Sequence, residues 1–325
     1  MNRPRAQRPV LHLLVTMGDP CGIGPEVCVK ALASRRLPRG VRITVVGSRQ
    51  MLQKAAEVAG VRTPAEAAVL DLDNFPPAML DERRPSAESG RACLEYIVRA
   101  VAEAKAGRAD AIVTMPISKE AIGAAGSPYP GHTEMLGALT GVERPVMLLV
   151  SGGLRVAFVT THMALRDVPH ALTAGAIVQT AEMLAGGLRQ YFAIPQPCVA
   201  LCALNPHSSD GGRFGDEESR IIAPAADQLR RSGLNVCGPL PSDTLFTRAL
   251  AGDYDGVVAL YHDQGMIPIK LSGLAGVVNV TLGLPIIRTS PGHGTAFDIA
   301  GKGIADESST LEAIRLATSM ARCRR

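Results

Sequence analysis

The chain has 325 residues, of which 46% are hydrophobic and 20% are charged, and its formal net charge at pH 7 is +4. This composition is ample for one or two domains with large buried cores, and it excludes a disordered or low-complexity protein. The net charge is mild and the short arginine clusters lack interleaved aromatic residues, so nucleic-acid binding is not indicated. A local site for an anionic substrate is compatible with this mild positive charge.

The ends and the cysteines of the chain bear on its cellular location. No apolar run reaches the roughly 18 residues of a membrane-spanning helix, and the start MNRPRAQRPV lacks the apolar core of a secretory signal. The seven cysteines are scattered, without a CxxC pair or a zinc-ribbon spacing. We therefore expect reduced, mostly buried thiols, a cytoplasmic location and no membrane contact.

The first third of the chain alternates strand-like and helix-like segments. The apolar run 11–17 ends in a glycine-rich loop at 18–25, and an apolar segment with helical character continues to about residue 33. Two further strand patterns and one amphipathic helical stripe follow, at 42–47, 111–115 and 86–106. Such alternation predicts a largely parallel sheet.

The middle of the chain changes character. Two apolar strands, 145–150 and 154–161, flank Ser151-Gly152-Gly153 and predict an antiparallel hairpin, which suggests a second domain. Helices are then expected at 171–189 and 216–231, and strands at 198–204 and 256–261. We predict an α/β fold in which 1–128 with 292–325 form a first domain and 129–291 a second. The catalytic cleft is expected to lie along the strand ends.

Three of the seven histidines directly follow predicted strands: His162, His207 and His262. Imidazole is the commonest metal ligand at neutral pH, and three of them from separate strand ends could hold one divalent ion with positions left open for substrate. Their spacing is not a metal motif, and each one alone is better explained as a hydrogen-bonded structural residue. For the three histidines taken together, the residues themselves support metal binding and structural roles about equally.

Several residues are candidates for binding phosphate. His132 and Thr133 stand at a predicted helix start, and Lys270 and Arg288 follow apolar segments predicted as strands. The segment 292–296, GHGTA, precedes a predicted helix at 297–301 and brings backbone close to whatever binds there, a diphosphate being one candidate and a plain loop the other. The loop after the first strand lacks the GxGxxG spacing, so a dinucleotide would not bind in the Rossmann manner.

Seven blocks in order resemble the 4-hydroxythreonine-4-phosphate dehydrogenase family of pyridoxal phosphate biosynthesis, and together they span nearly the whole chain. The blocks are GDPCGIGPE (18–26), MPISKEAI (115–122), GHTEML (131–136), NPHSSDGGRFGDEE (205–218), GPLPSDTLF (238–246), YHDQGMIPIK (261–270) and NVTLGLPIIRTS (279–290). The resemblance implies a two-domain fold like that of isocitrate and isopropylmalate dehydrogenases, with a cleft between the domains, working as a homodimer with shared active sites.

The resemblance also implies roles for individual residues. The metal ligands carry over onto His162, His207 and His262, with one donated by the partner subunit. Substrate contacts carry over onto His132, Thr133, Lys270, Asn279 and Arg288, with Asp243 as a candidate for the substrate amine. Asp263 and Lys270 are the catalytic candidates, and Asp263 would orient His262 or act as a base. NAD, or NADP, would contact His293, Gly294 and Thr295, and one divalent ion, Zn, Mg, Mn or Co, would polarise the substrate hydroxyl.

Two positions depart from the family pattern, and several functions stay open. Pro291 and Gly292 stand where the family commonly has an aspartate, and Cys21 lies in the first glycine loop. The expected substrate is 4-phosphooxy-L-threonine; paralogues act on other phosphorylated acids, such as 4-phospho-D-erythronate, or on aromatic dihydrodiols. The retained cationic residues favour a phosphorylated substrate. A phosphate acyltransferase or a non-catalytic regulator would need neither NAD nor three metal-binding histidines.

Overall fold

The computed structural model describes residues 10–65, 68–79, 81–273 and 276–325. The expectation that no secretory signal is present rests on residues 1–9, which lie outside the described residues. Among the described helices, none combines the length and apolar character needed to cross a membrane. The chain divides into two compact units, Met1–Glu143 with Leu284–Arg322, and Arg144–Gly283 with Cys323–Arg325. The predicted domain boundaries, 128/129 and 291/292, differ from these and would place 129–143 and 284–291 in the other unit.

The first unit contains a parallel sheet whose strand order is β3-β2-β1-β4-β11. The strands are β1 Leu11–Thr16, β2 Val41–Gly47, β3 Val69–Asp71, β4 Ala111–Thr114 and β11 Arg288–Pro291. The helices are α1 Gly24–Ala33, α2 Arg49–Ala59, α3 Ala87–Lys105, α4 Lys119–Ala124, α5 His132–Thr140 and α11 Ser308–Arg324. Every residue of β4 is buried, because a central strand of a parallel sheet is covered on both faces.

The second unit contains a mixed sheet whose strand order is β10-β5-β6-β9-β7-β8. Its strands are β5 Val146–Ser151, β6 Leu154–Phe158, β7 Cys198–Cys202, β8 Asn235–Leu240, β9 Gly256–Ala259 and β10 Val278–Leu282. Its helices are α6 Val168–Ala171, α7 Ala174–Phe192, α8 Ala223–Arg231, α9 Ser242–Ala251 and α10 His262–Leu271. The pairs β10–β5 and β5–β6 are antiparallel, whereas β6, β9, β7 and β8 run parallel.

The α/β fold class and the hairpin predicted around residues 151–153 are confirmed. The amphipathic stripe 86–106 is helix α3, and it begins at a capping box in which the Ser86 hydroxyl accepts from the Ser89 N–H at 3.0 Å. The predicted helix 297–301 is wrong: those residues form turns, with Ala296 before them at φ 43° and Gly301 at φ 73°. A right-handed helix requires negative φ at each of its residues, so it cannot include Gly301.

The expectation that the thiols are mostly buried is confirmed. All seven cysteines are described and none forms a disulfide. Four are buried, namely Cys21, Cys28, Cys93 and Cys202. Burial raises the pKa of the Cys202 thiol to about 12, which keeps it protonated and unreactive at neutral pH.

Asp19 is a fully buried carboxyl group in the glycine-rich loop between β1 and α1. Its Oδ1 accepts the Cys21 N–H at 2.9 Å, and its Oδ2 accepts the Ser89 hydroxyl at 3.3 Å. Burial raises the pKa of Asp19 from 3.8 to about 6, and the two hydrogen bonds only partly offset the increase. The folded state therefore binds the proton more tightly than the unfolded state does, and stability falls as pH rises from about 4 through about 6.

The Asp19→Asn variant is expected to be more stable than the parent at pH 8 by about 2 to 3 kcal/mol, because it removes a buried charge. The amide oxygen still accepts from Cys21, and the amide nitrogen donates to the Ser89 oxygen. The gain is expected to shrink as pH falls below about 6. Urea unfolding at pH 5 and pH 8 measures it, with Glu120→Gln, an exposed carboxylate change, as control. A variant less stable than the parent at pH 8 contradicts this account.

Candidate active site

Four of the predicted site residues follow parallel strands of the second unit. His162 follows β6, His262 follows β9, His207 follows β7 and Asp243 follows β8. Because these four strands are parallel neighbours, their carboxyl ends lie along one edge of the sheet. That edge is where ligands bind in open α/β sheets.

The ends of β6 and β9 are joined so that His162 and His262 come together. The Thr160 hydroxyl donates to the Leu260 carbonyl oxygen at 2.7 Å, and the two imidazole centroids lie 5.7 Å apart. Zinc–nitrogen bonds of about 2.0 to 2.1 Å place the centroids of two rings that share an ion roughly 5 to 6 Å apart. The pair therefore fits two ligands of one divalent ion.

An open pocket of about 630 Å³ lies beside this pair. Its lining combines the polar side chains of the two histidines, Tyr261 and Asp263 with several apolar side chains. The lining residues are Thr161, His162, Met163, Ala164, Leu165, Val168, Tyr261, His262 and Asp263. The volume is within the range of small-molecule sites, so an ion held by the pair would have room for a substrate beside it.

Asp263 contacts the neighbouring imidazole. Its Oδ1 lies 2.7 Å from His262 Nδ1, and its own side chain is 72% exposed. A carboxylate at that position favours the tautomer with the proton on Nδ1 and leaves the Nε2 lone pair for a metal. Of the two roles expected for Asp263, the contact favours orientation of His262 over direct proton abstraction.

His207 lies apart from this pair within the chain. It is exposed, and in the described residues no three His, Cys, Asp or Glu side chains gather closely enough to hold a metal ion. Its backbone has φ 53° and ψ 28°, the left-handed conformation, at the start of the turn Pro206–Gly212. The fit to a metal is thus carried by two ligands from the one chain.

The other predicted residues of the second unit occupy different environments. Asp243 is exposed in the first turn of α9, and its Oδ1 accepts the Thr244 N–H at 2.9 Å. Lys270 was expected after a strand, which is wrong: it is exposed in the last turn of α10. Asn279 lies in β10, and its Oδ1 is buried without a hydrogen-bond partner among the described residues. A buried acceptor left unpaired in this way is suited to a ligand donor.

Gln264 is a residue of this edge that no sequence pattern predicted. It is 8% exposed, and its Oε1 accepts the Leu260 N–H at 2.6 Å. Its Nε2 donates to the Ala203 carbonyl oxygen at 2.7 Å and to the Ser242 hydroxyl at 2.9 Å. This amide therefore fastens the ends of β9 and β7 to the start of α9, which carries Asp243. A polar residue within the YHDQG block, directly after a strand, was the available signal.

In the first unit, Arg288 and His132 form a buried cationic site. Arg288, the first residue of β11, is 2% exposed, and its Nε and Nη2 donate to the Thr114 hydroxyl at 3.0 and 2.7 Å. Burial lowers the pKa of Arg288 to about 9, so it stays charged at neutral pH. Burial and then the Arg288 charge lower the pKa of His132 well below its ordinary value.

The consequence is a fixed cation beside a neutral imidazole. His132 Nε2 is buried and has no hydrogen-bond partner within the described chain. His132 is the first residue of α5, and Thr133 follows it in the same first turn, where helix N–H groups are exposed and the helix dipole favours negative charge. The arrangement is suited to an anion such as a phosphate or a carboxylate.

The predicted cofactor residues lie on a loop packed against the glycine-rich loop of the first unit. The Ile23 N–H donates to the Thr295 carbonyl oxygen at 2.9 Å. His293 Nδ1 lies 3.0 Å from the Gly294 carbonyl oxygen, and His293 Nε2 is buried without a partner among the described residues. A Cβ added at Gly294 would meet no atom within 4 Å, which leaves that side of the loop open.

Gly22 controls how closely the two loops approach. A Cβ at Gly22 would lie 2.8 Å from the Thr295 carbonyl oxygen, so Gly22→Ala must displace the backbone of residue 295. If NAD binds at these loops, Gly22→Ala is expected to raise its KM roughly 10- to 100-fold, because displacements of about 1 Å in a binding loop have effects of that size. The control is Gly123→Ala, where an added Cβ meets nothing within 4 Å. Equal KM values in the two variants would remove these loops from the cofactor site.

Comparison with known proteins places the chain among enzymes of one family. Residues 39–317 match the family profile described as pyridoxal phosphate biosynthetic protein PdxA. The 4-hydroxythreonine-4-phosphate dehydrogenase of Geobacter metallireducens is 44% identical over 96% of this chain and 96% of its own length. The D-threonate 4-phosphate dehydrogenase of Cupriavidus necator is 46% identical over 94% and 96%. The crystal structure of 4-hydroxythreonine-4-phosphate dehydrogenase from Klebsiella pneumoniae matches with a TM-score of 0.88 at 40% identity, covering 97% of this chain and 99% of that one.

Proposed function

We propose a function from one premise: the chain belongs to the pyridoxal phosphate biosynthetic protein PdxA family. It is a metal-dependent, NAD-linked dehydrogenase of a phosphorylated hydroxy acid. The substrate is 4-phosphooxy-L-threonine, which is oxidised and decarboxylated to 3-amino-2-oxopropyl phosphate. The observation that carries the proposal is the pair His162 and His262, with Asp263 bound to the second ring, beside a pocket of about 630 Å³.

The metal site uses His162 and His262 from one chain and His207 as the third ligand, with one of the three donated by a second copy in a homodimer. Asp263 holds the Nδ1 proton of His262 and so presents Nε2. The three histidines would hold a divalent ion, which would supply a Lewis acid for the substrate hydroxyl and for the negative charge that loss of carbon dioxide places on that same oxygen. Imidazole ligands suit zinc or cobalt, and open positions also admit magnesium or manganese.

The substrate anion is bound by cationic and polar groups. Arg288 and the neutral His132 bind one anionic group, with Thr133 beside them in the first turn of α5. Lys270 and Asn279 contact the substrate through an exposed ammonium and a buried amide oxygen that lacks a partner among the described residues. The exposed carboxylate of Asp243 is suited to the substrate amine, which a sugar acid lacks. His293, Gly294 and Thr295 would hold NAD, or NADP, which would supply the hydride acceptor.

Exposed apolar side chains of the second unit support the proposal that a second copy of the chain binds there in a homodimer. Met163 and Leu165 line the pocket and are 43% and 67% exposed. On α10, Ile267 and Leu271 are 57% and 82% exposed. Exposed large apolar side chains are a feature of interfaces between proteins.

The second candidate is a dehydrogenase of a phosphorylated sugar acid, D-threonate 4-phosphate or 4-phospho-D-erythronate. It is favoured by the Cupriavidus necator relative, whose 46% identity slightly exceeds the 44% of the Geobacter metallireducens relative. The two candidates share the anion site and the histidines, and they differ in whether an amine stands beside the carbon that is oxidised. A direct comparison of the substrates therefore separates the two candidates.

The test follows the absorbance of NADH formed by purified protein with added divalent metal and each of the three phosphorylated acids. The proposal predicts the highest kcat/KM with 4-phosphooxy-L-threonine. Asp243→Asn is expected to lower kcat/KM for that substrate and to leave the sugar acids nearly unchanged. Turnover of a sugar acid alone favours the second candidate. An absence of NADH with all three rejects both and leaves an acyltransferase or a regulator to be tested.

A further inference from the structure

The turn that carries His207 has an unusual backbone. Five consecutive residues, from His207 to Gly211, have φ of 53°, 54°, 69°, 44° and 70°. Only the last is glycine, so four residues with side chains lie in the left-handed region. Such residues cost roughly 1 to 2 kcal/mol each relative to ordinary backbone, and they persist only where the surroundings hold them. Some group outside the turn must therefore fix its shape.

Glu218 is that group. Its side chain is buried, 5% exposed, at the start of the helical segment that leads into α8. Its Oε1 accepts the N–H of Leu204 at 2.8 Å and that of Asn205 at 2.7 Å. Its Oε2 accepts the Asn205 amide at 2.9 Å and also accepts the Ser209 hydroxyl. One carboxylate thus binds the chain on both sides of the exposed His207, at positions 205 and 209.

The ionised form of Glu218 is the one that these contacts require. Burial alone would raise its pKa, but the hydrogen bonds from the Asn205 backbone, the Ser209 hydroxyl and the Asn205 amide outweigh burial and lower it. A carboxylate with four donors can hold a strained turn in place, whereas a neutral amide can accept at one oxygen only.

We propose that Glu218 is a positioning residue: it holds the left-handed turn 206–212 in the conformation that presents the His207 imidazole to the divalent metal. The proposal rests on the proposed function, in which His207 is a metal ligand. Glu218 itself contacts neither metal nor substrate in this role. Its effect on metal affinity comes through the backbone of residues 204–209.

The neighbouring carboxylate provides a matched control. Among the described residues, Glu217 accepts a hydrogen bond from the Asn205 amide alone, at 2.7 Å, and from no backbone N–H of the turn. Glu217→Gln therefore changes the same charge at the adjacent position and leaves the turn fastened at Leu204, Asn205 and Ser209. Ser209→Ala is the milder variant, because it removes only the contact inside the turn.

The experiment titrates the full-length, metal-free protein with Co²⁺ and records affinity and the visible ligand-field spectrum, with folding checked by circular dichroism. Glu218→Gln is expected to weaken Co²⁺ binding about 10- to 100-fold and to alter the spectrum, as loss of an orienting group around a metal ligand does. Ser209→Ala is expected to weaken Co²⁺ binding by a smaller factor. Glu217→Gln is expected to leave the Co²⁺ affinity and the spectrum near those of the parent.

Two outcomes overturn different parts of the account. If His207→Ala weakens Co²⁺ binding but folded Glu218→Gln and Ser209→Ala keep the parent affinity and spectrum, the positioning role is rejected and the ligand assignment stands. If His207→Ala itself binds Co²⁺ like the parent, the assignment of His207 as a ligand is rejected, and the positioning role with it. If Glu218→Gln fails to fold, the Ser209→Ala titration decides whether the positioning role is kept or rejected.

Discussion

The His262→Ala variant is expected to lose about 1000-fold or more in kcat and at least about 100-fold in metal affinity, because it removes one ligand of the ion that stabilises the reacting oxygen. His262 is the ring that both faces His162 at 5.7 Å and carries the Asp263 hydrogen bond. No other described imidazole has both contacts. Turnover is measured as NADH formation, and affinity by titration of the metal-free protein.

Two further variants make this result specific. Asp263→Asn keeps the His262 ring but removes the charge from the partner of its Nδ1. We expect a loss of about 10- to 100-fold in kcat and in metal affinity. His170→Ala removes an exposed histidine of α6 and should behave like the parent. Full activity of His262→Ala with bound metal, or an equal loss in His170→Ala, contradicts the placement of the metal beside the His162 and His262 pair.

Replacement of Arg288 is the second change with a large expected effect. Arg288→Met should lower kcat/KM by about 10³, since removing the cation that binds a buried anion costs roughly 3 to 5 kcal/mol. Arg288→Lys keeps the charge but loses the planar guanidinium that donates twice to Thr114. We expect this variant to lower kcat/KM by about 10². The loss should appear mainly in KM if Arg288 binds ground state and transition state alike.

Inorganic phosphate gives an independent readout of the same site. Phosphate that binds the folded protein raises its thermal midpoint, and this shift should disappear in Arg288→Met. Arg155→Lys is the control, because Arg155 is a partly buried guanidinium of the second unit that donates to the Gly153 and Asp255 carbonyl oxygens. An undiminished phosphate shift in Arg288→Met, with catalysis intact, would separate Arg288 from anion binding.

The sequence predicted those parts of the structure that depend on local patterns. The apolar strand β1, the amphipathic helix α3 and the Gly152-Gly153 hairpin follow from periodicity and turn chemistry. The short strand β11 has the sequence RTSP and no apolar alternation, so its place beside β4 comes from tertiary packing alone. Lys270 was misplaced for a similar reason, because helix α10 contains Pro268 and lacks a clear apolar stripe.

The same distinction holds for the candidate site. Three histidines after three strands indicated a metal, and parallel strand ends bring His162 and His262 together. The supporting groups could not be found in this way. Arg288 binds the hydroxyl of Thr114 across 174 positions, and Gln264 binds Ala203 across 61, so neither contact leaves a periodic signal. The left-handed turn at 207–211 also contradicts the propensity of four of its five residues.

The most direct test of the central claim is metal-dependent NADH formation from 4-phosphooxy-L-threonine, measured on one preparation before and after removal of metal with a chelator. The stripped protein is expected to form negligible NADH and to recover its rate when Co²⁺ or Zn²⁺ is restored. An undiminished rate in the stripped protein, with chelator still present, would contradict that claim.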